Sequence, residues 1–302
     1  MASVLRHCPL CNNQTEEAVC PTDNVPTIDP SVLEDKRPVT PGAIIGGRYR
    51  IQRKIGEGGM GAVLLATQLG MDRNVAIKVL TRALAADPDG LARFYREARA
   101  ACLMDHPNVV KVFDFGVDDG SGVPFLVMEL LTGEPLNALL ARSGAVDERR
   151  ACSLLTNVAR ALIDAHDKGI VHRDLKPENI YVQRLPDGEE FVKVLDFGIA
   201  KVGNSAGQSG GRLTRTGTTV GTPAYMSPEQ IQGGEIDFRS DLYSLGCVLF
   251  QMLTGHEPFR HDEPEGLLAA HLVKPPPPLP PLLSDGVPPS PALVDLVTML
   301  LA

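Results

Sequence analysis

In "VHRDLKPENI", residues 171 to 180, an aspartate, a lysine two places on and an asparagine five places on stand between apolar Val171 and Ile180. The apolar ends anchor a loop and leave Asp174, Lys176 and Asn179 to act together. A carboxylate accepts a hydroxyl proton, an ammonium neutralises a phosphoryl group in transit, and an amide oxygen ligates a hard cation. Further on, "VLDFGIAK" places Asp196 between the strand-like "FVKVL" and Gly198. With Asn179 it makes a pair of oxygen donors suited to magnesium bridging phosphates. Upstream, "GEGGMGAV", 56 to 63, spaces Gly56, Gly58 and Gly61 between strand-like runs, so that backbone can approach phosphate closely. A dinucleotide fold also uses three glycines, but there the chain enters a helix, whereas "AVLLATQ" here continues as strand. Fifteen residues past Val63, "VAIK" supplies Lys78, and nineteen further Glu97 sits in the helix-like "FYREARAA", able to hold the lysine ammonium in place. Singly these are turn residues, a solvated lysine and an exposed glutamate. Their joint order makes chance a poor explanation.

Positioning these groups requires two kinds of scaffold. "RYRIQRKIG", "GAVLLATQ" and "NVAIKVL" alternate as strands do, and "LARFYREARAACLM" has helical spacing. After "FLVMELL" the chain turns mostly helical: "ACSLLTNVARALIDAHDKG" repeats apolar residues at three and four and ends at Gly169, while "DLYSLGCVLFQMLTG" is apolar nearly all round, as a central buried helix would be. "PPPPLPP", 275 to 281, lies between helix-like segments and reads as a surface loop rather than a polyproline ligand.

The 302 residues, 43% hydrophobic, suffice for a sizeable core, and the formal charge of -8 offers no broad positive field for nucleic acid or an anionic bilayer. No apolar run reaches spanning length, and "MASVLRHCPLC" lacks the apolar stretch of a signal peptide, so the cytoplasm is the expected location. Cys102, Cys152 and Cys247 fall singly in helix-like segments as core residues. Cys8, Cys11 and Cys20 instead belong to a small repeat, "CPLC" and "CPTD". Two tight turns presenting two ligands each would give zinc a tetrahedral set of Cys8, Cys11, Cys20 and Asp23, with His7 as a substitute fourth ligand. Without metal, so short a head has no means of folding. Residues 29 to 46, rich in proline, read as a linker, giving a segment 1–28, the linker, and a domain from 47 to 302. No catalytic motif lies in the head, so the catalytic unit is expected to work without it.

Taken together, "GEGGMGAV", "VAIK", Glu97, "HRDLKPEN", "DFG", "GTPAYMSPE" and "SDLYSLG" resemble the protein kinase family across residues 47 to 302. The forms "HRDLKPEN" and "GTPAYMSPE" resemble its serine/threonine branch, especially bacterial relatives of eukaryotic kinases, and the head resembles zinc ribbons that precede some of them. The resemblance implies an α+β, bilobal fold: a small antiparallel sheet lobe with a helix, 47–131, and a larger, mostly helical lobe, 132–302. It further implies ATP and magnesium as cofactors and Ser/Thr side chains of proteins as substrates. Asp174 would orient and deprotonate the substrate hydroxyl, Lys176 would steady the phosphoryl group, and Asn179 and Asp196 would hold magnesium. Lys78, braced by Glu97, would bind the α and β phosphates beneath the glycine loop. Adenine would rest among Ile55, Val63, Ala76 and Met128, with the backbones of Glu129 and Leu131 as hinge contacts. Asp241 would brace the catalytic loop. The family also supplies a late arginine for the glutamate matching Glu229, yet Arg260 is the last arginine here, and "SPALVDLVTMLLA" stops in mid-pattern, which reads as a truncated domain. A catalytically silent, kinase-like scaffold is the rival reading, although Lys78, Asp174 and Asp196 are all in place.

"RLTRTGTTVGTPAYMSPE", 212 to 229, holds five threonines between Thr214 and Thr222, after the loop-like "GNSAGQSGG". By position the resemblance makes Thr214, Thr216 and Thr218 autophosphorylation sites, modified by a second copy of the chain during self-association. Arg173 and Lys201 would receive the phosphate. Thr222 would instead contact Asp174 and Lys176 and help select Ser/Thr substrates.

Overall fold

The computed structural model describes residues 5–29, 39–58, 61–197 and 223–302. They form two compact units, the first comprising the chain up to Asp105 with Val110–Leu131, the second His106–Val109 with Thr132–Ala302. Lys201, Thr214, Thr216, Thr218 and Thr222 lie outside the described residues.

In the first unit, a two-stranded hairpin of β1 (Arg6–His7) and β2 (Gln14–Thr15) precedes an antiparallel six-stranded sheet of order β3-β4-β5-β6-β8-β7. Its strands are β3 (Ile44–Ile45), β4 (Tyr49–Gly58), β5 (Gly61–Gln68), β6 (Arg73–Leu80), β7 (Val112–Val117) and β8 (Pro124–Glu129). Period-two alternation sorts its side chains between faces. Val75, Ile77 and Val79 join Phe125, Val127, Tyr49 and Ile51 in a buried cluster on one face. Leu80 and Leu126, of opposite parity, pack against Leu91, Phe94, Tyr95 and Ala98. Those four belong to helix α2 (Pro88–Leu103), which follows the single turn α1 (Arg82–Ala85). Spaced by three and four, they share one stripe of α2. Asp87 caps α2, accepting hydrogen bonds from the N–H groups of Asp89 and Gly90, and Pro88 takes the first helical position.

Residues 29–46 read as linker, yet Ile44–Ile45 pairs with β4 and Ile45 is buried in the sheet core, because two isoleucines suffice to extend a sheet edge where proline-rich sequence conceals a period. In the head, Ile28 is buried in the α2 cluster and Leu10 packs against it.

The second unit opens with the sheet order β11-β10-β9, from β9 (Glu134–Pro135), β10 (Ile180–Arg184) and β11 (Glu190–Val194). Helices α3 (Leu136–Ser143) and α4 (Glu148–Asp167) come between β9 and β10, and α4 packs on β11 and on α6. After α5 (Pro228–Gln232), α6 (Phe238–Thr254) runs through the core with Leu245, Val248, Leu249 and Phe250 buried, capped by Asp237 and ended by Gly255 in a left-handed conformation. Helices α7 (Pro264–Val273) and α8 (Pro291–Leu300) follow. A Cβ at Gly246 would lie 2.8 Å from the Leu300 Cβ, so glycine is what lets α8 approach α6. Residues 275–281, including the proline run, carry no helix or strand.

Candidate active site

In the second unit, the loop between α4 and β10 is organised from below by Asp241, fully buried on α6. Its Oδ2 accepts hydrogen bonds from the His172 N–H at 2.8 Å and lies 2.7 Å from His166 Nε2, and its Oδ1 accepts from the Arg173 N–H at 2.8 Å. Bonds to a charged acceptor contribute about 1.5–3 kcal/mol each, enough to hold a loop fixed. Arg173, bearing φ 64, needs that restraint, as does Asp196 at φ 46, since both are non-glycine residues in the left-handed region.

His172 ties the loop to the segment carrying Asp196. Its Nδ1 accepts from the Asp174 N–H at 3.3 Å and its Nε2 donates to the Leu195 carbonyl at 3.0 Å, which defines a neutral imidazole. Burial keeps its pKa below the usual histidine value. The Phe197 ring lies beside it at a tilt of 49°, centroids 4.7 Å apart. On this base the Lys176 ammonium donates to Asp174 Oδ2 at 2.7 Å, and the Asn179 amide nitrogen donates to the Asp174 carbonyl at 2.8 Å. The amide nitrogen being so used, the side-chain oxygen is the Asn179 atom left as a candidate metal ligand. The Leu195 N–H donates to the Asn179 carbonyl at 2.8 Å, so the two magnesium candidates, Asn179 and Asp196, lie on directly bonded segments. The sequence reading quoted His172 without giving it a role, because nothing in a polar run reveals what each ring nitrogen will meet. It also missed Gln230, whose amide donates to the Arg173 carbonyl at 2.7 Å.

Besides Asp174, the next residue in sequence, the fold brings Asp241 to Arg173. Burial lowers the Arg173 pKa and the Asp241 charge acts in the opposite sense. Among the described residues, no side chain bonds its guanidinium. Glu229 likewise finds a different partner from the arginine the resemblance leads one to expect: the Ser240 hydroxyl donates to it, while Arg260 pairs with Glu257 at 3.4 Å.

In the first unit, strand register sets the nucleotide candidates on one sheet face. Lys78 lies opposite Val63 on β5 and Leu126 on β8, and Ala76 lies opposite Met128. Two residues apart on β6, Ala76 and Lys78 point the same way, toward the face α2 covers, and Glu97 is carried on α2. Glu129 ends β8, its N–H bonded to the Lys111 carbonyl at 2.9 Å, and Leu131 follows. In the β4–β5 hairpin Gly56 pairs with Val63 and Gly58 with Gly61, next to half-exposed Ile55. A Cβ at Gly58 would meet nothing within 4 Å, whereas one at Gly61 would lie 1.8 Å from the Val79 carbonyl oxygen.

The head holds a second cluster. Cys8–Asn12 and Cys20–Asn24 form equivalent turns: the N–H of each asparagine donates to the cysteine carbonyl, at 3.0 and 2.9 Å, with asparagine φ of 60 and 51. Backbone N–H groups of Leu10 and Asp23 point at the sulfurs of Cys8 and Cys20, 3.3 and 3.4 Å away. Ligand atoms of Cys8, Cys11, Cys20 and Asp23 all fall within 4.8 Å of one another, Asp23 taking in the second turn the place of Cys11 in the first. His7 is not among the converging side chains.

A family model of the protein kinase domain matches residues 49–277. The chain belongs to the protein kinase family. Relatives of this kinase domain include the serine/threonine-protein kinase pkn3 of Myxococcus xanthus, 47% identical over 78% of this chain and 43% of its own length. The serine/threonine-protein kinase PknA of Mycobacterium tuberculosis is 42% identical over 82% of this chain and 56% of its own. This kinase domain thus spans about half the length of those curated relatives. Among solved structures, a cysteine-to-alanine mutant of the Mycobacterium tuberculosis PknI kinase domain superposes with a TM-score of 0.65 at 26% identity, covering 88% of this chain and 91% of that one. The sheet-plus-helix first unit and helical second unit are accordingly those of a kinase fold. Among the described residues no helix is long and apolar enough to cross a membrane.

Proposed function

We propose that the chain transfers the γ-phosphate of ATP to serine and threonine hydroxyls of proteins. The observation that carries this reading is the catalytic loop: Asp174 bonded to Lys176 and Asn179 on a base fixed by Asp241. Asp174 accepts the proton of the incoming hydroxyl. Lys176, already against Asp174, neutralises charge on the group in transfer and keeps the carboxylate in place. Asn179 and Asp196 hold magnesium, which when bound screens the phosphate charges. Lys78, steadied by Glu97, binds phosphate oxygens; Val63, Ala76 and Met128 with Ile55 supply an apolar surface for adenine, and the backbones of Glu129 and Leu131 fix its edge. Since phosphoryl transfer needs little covalent help, positioning and charge perform the catalysis. Incubation with magnesium and labelled ATP should label a generic basic protein. Asp174→Asn should lower turnover by about 10²- to 10⁴-fold while leaving ATP binding nearly unchanged. Absent transfer by the parent, with ATP still bound, would favour the scaffold reading; unchanged transfer in the variant would remove Asp174 from its role.

Two finer readings belong with this one. Thr214, Thr216 and Thr218 are sites the enzyme phosphorylates on another copy of itself, with Arg173 and Lys201 as receivers and Thr222 spared. Cys8, Cys11, Cys20 and Asp23 hold one structural zinc. The donor set suits it: sulfurs at ~2.3 Å from a tetrahedral zinc lie about 3.8 Å apart, and Cys11 and Cys20 are separated by 3.8 Å.

A further inference from the structure

We infer that the head is a metal-dependent clamp on helix α2, acting through it on the placement of Glu97. The inference rests on the zinc reading above and adds what the metal is for. Two apolar side chains carry the clamp. Leu10 lies inside the first turn, between Cys8 and Cys11, with its N–H directed at the Cys8 sulfur. It packs both on the head's own cluster of Cys8, Cys20 and Val25 and on the cluster built around α2. Ile28, 3% exposed, is buried among Leu91, Phe94, Tyr95 and Ala98. It is pinned to the residue before Cys8 by paired bonds, His7 N–H to the Ile28 carbonyl and Ile28 N–H to the His7 carbonyl, both 2.9 Å. Glu97 stands on α2 between Tyr95 and Ala98, which share a buried cluster with Ile28.

The head cannot hold this shape by burial alone. Its own core is three residues, two of them metal-ligand candidates. Segments this small keep their fold through metal, so losing the ion frees both turns and withdraws Leu10 and Ile28 from α2. The apolar contacts that Leu10 and Ile28 add to the buried stripe of α2 are then lost, and Glu97 loses a defined position relative to β6. By linkage the coupling runs both ways: whatever packs the head on α2 also tightens zinc.

The test uses the full chain in reducing buffer, with zinc itself as the probe. Elemental analysis should find about one zinc per chain. A chelator that removes zinc and spares magnesium should lower kcat/KM for ATP by about 5- to 150-fold. It should also speed amide exchange across residues 91–100 while leaving α6 unchanged, and added zinc should restore both. Exchange in α2 reads the clamp independently of catalysis. Ile28→Asp, which keeps all four ligands, should still bind zinc, more weakly, and be slow whether or not the chelator is present; Ile28→Val should recover parent behaviour. Should Ile28→Asp fail to fold, Ile28→Ala serves, with a smaller loss in the same direction. Bound zinc whose removal changes neither kcat/KM nor α2 exchange would overturn the clamp and leave the zinc reading intact. Absence of bound metal would overturn the zinc reading, and the clamp with it.

Discussion

Asp241 satisfies three donors with two oxygens, and the neighbouring consequence falls on Arg173. Its backbone is committed to Asp241 and Gln230, while burial makes its guanidinium costly to keep charged without a partner. A phosphothreonine brings nearly two negative charges and three acceptor oxygens, the chemistry that relieves such a cation. Purified parent protein should therefore carry phosphate on Thr214, Thr216 or Thr218, and Asp174→Asn should not. Mass spectrometry of peptides covering 213–229 reads both; a bare segment in a fully active enzyme would withdraw the assignment. At this scale the sequence was most legible where chemistry is short-range. Asp174, Lys176 and Asn179 lie within six residues and meet in the fold. The arrangement of His172 was not legible, since the partner of its Nε2 depends on where Leu195 arrives.

Among the elements, β5 has no room for a side chain at Gly61, where any Cβ would be driven into the Val79 carbonyl of β6. Gly61→Ala should part the strands beside Lys78, cost about 1–3 kcal/mol as overpacking does, and raise the KM for ATP. Thermal melting with an ATP titration checks it, and an unchanged KM would show that the glycine serves packing alone. The strands themselves could be read because alternation in "NVAIKVL" matches the two faces residue by residue. The docking of the head could not. Leu10 and Ile28 are isolated apolar residues in proline- and cysteine-rich sequence, with no period to announce what they touch.

Across the larger unit, acid sensitivity has an identifiable source. His271 is buried beside Tyr243, whose hydroxyl lies 2.8 Å from Nδ1, and Phe259, and its Nε2 has no hydrogen-bond partner among the described residues. Burial lowers its pKa to about 4. An unfolded chain protonates this group near pH 6.5 while the folded one resists until about 4, so between those values the unfolded state binds more protons and stability is lost as pH falls. Urea midpoints across that window should decline for the parent and decline less for His271→Leu; parallel slopes would clear His271. The two-part architecture was visible in the change from alternating to helical patterning near "FLVMELL", but the burial of a polar histidine in α7 was not, because no period distinguishes a buried imidazole from an exposed one. The bonds that give the catalytic loop its shape also impose an order in time. Asp241 stands 69 and 68 positions after the amides it holds, and closing so long a stretch costs entropy before any bond forms. On a chain emerging from the ribosome, the loop bearing Asp174 is therefore made well before it has a fixed form, and the capacity for chemistry arrives only once α6 has been synthesised and seated.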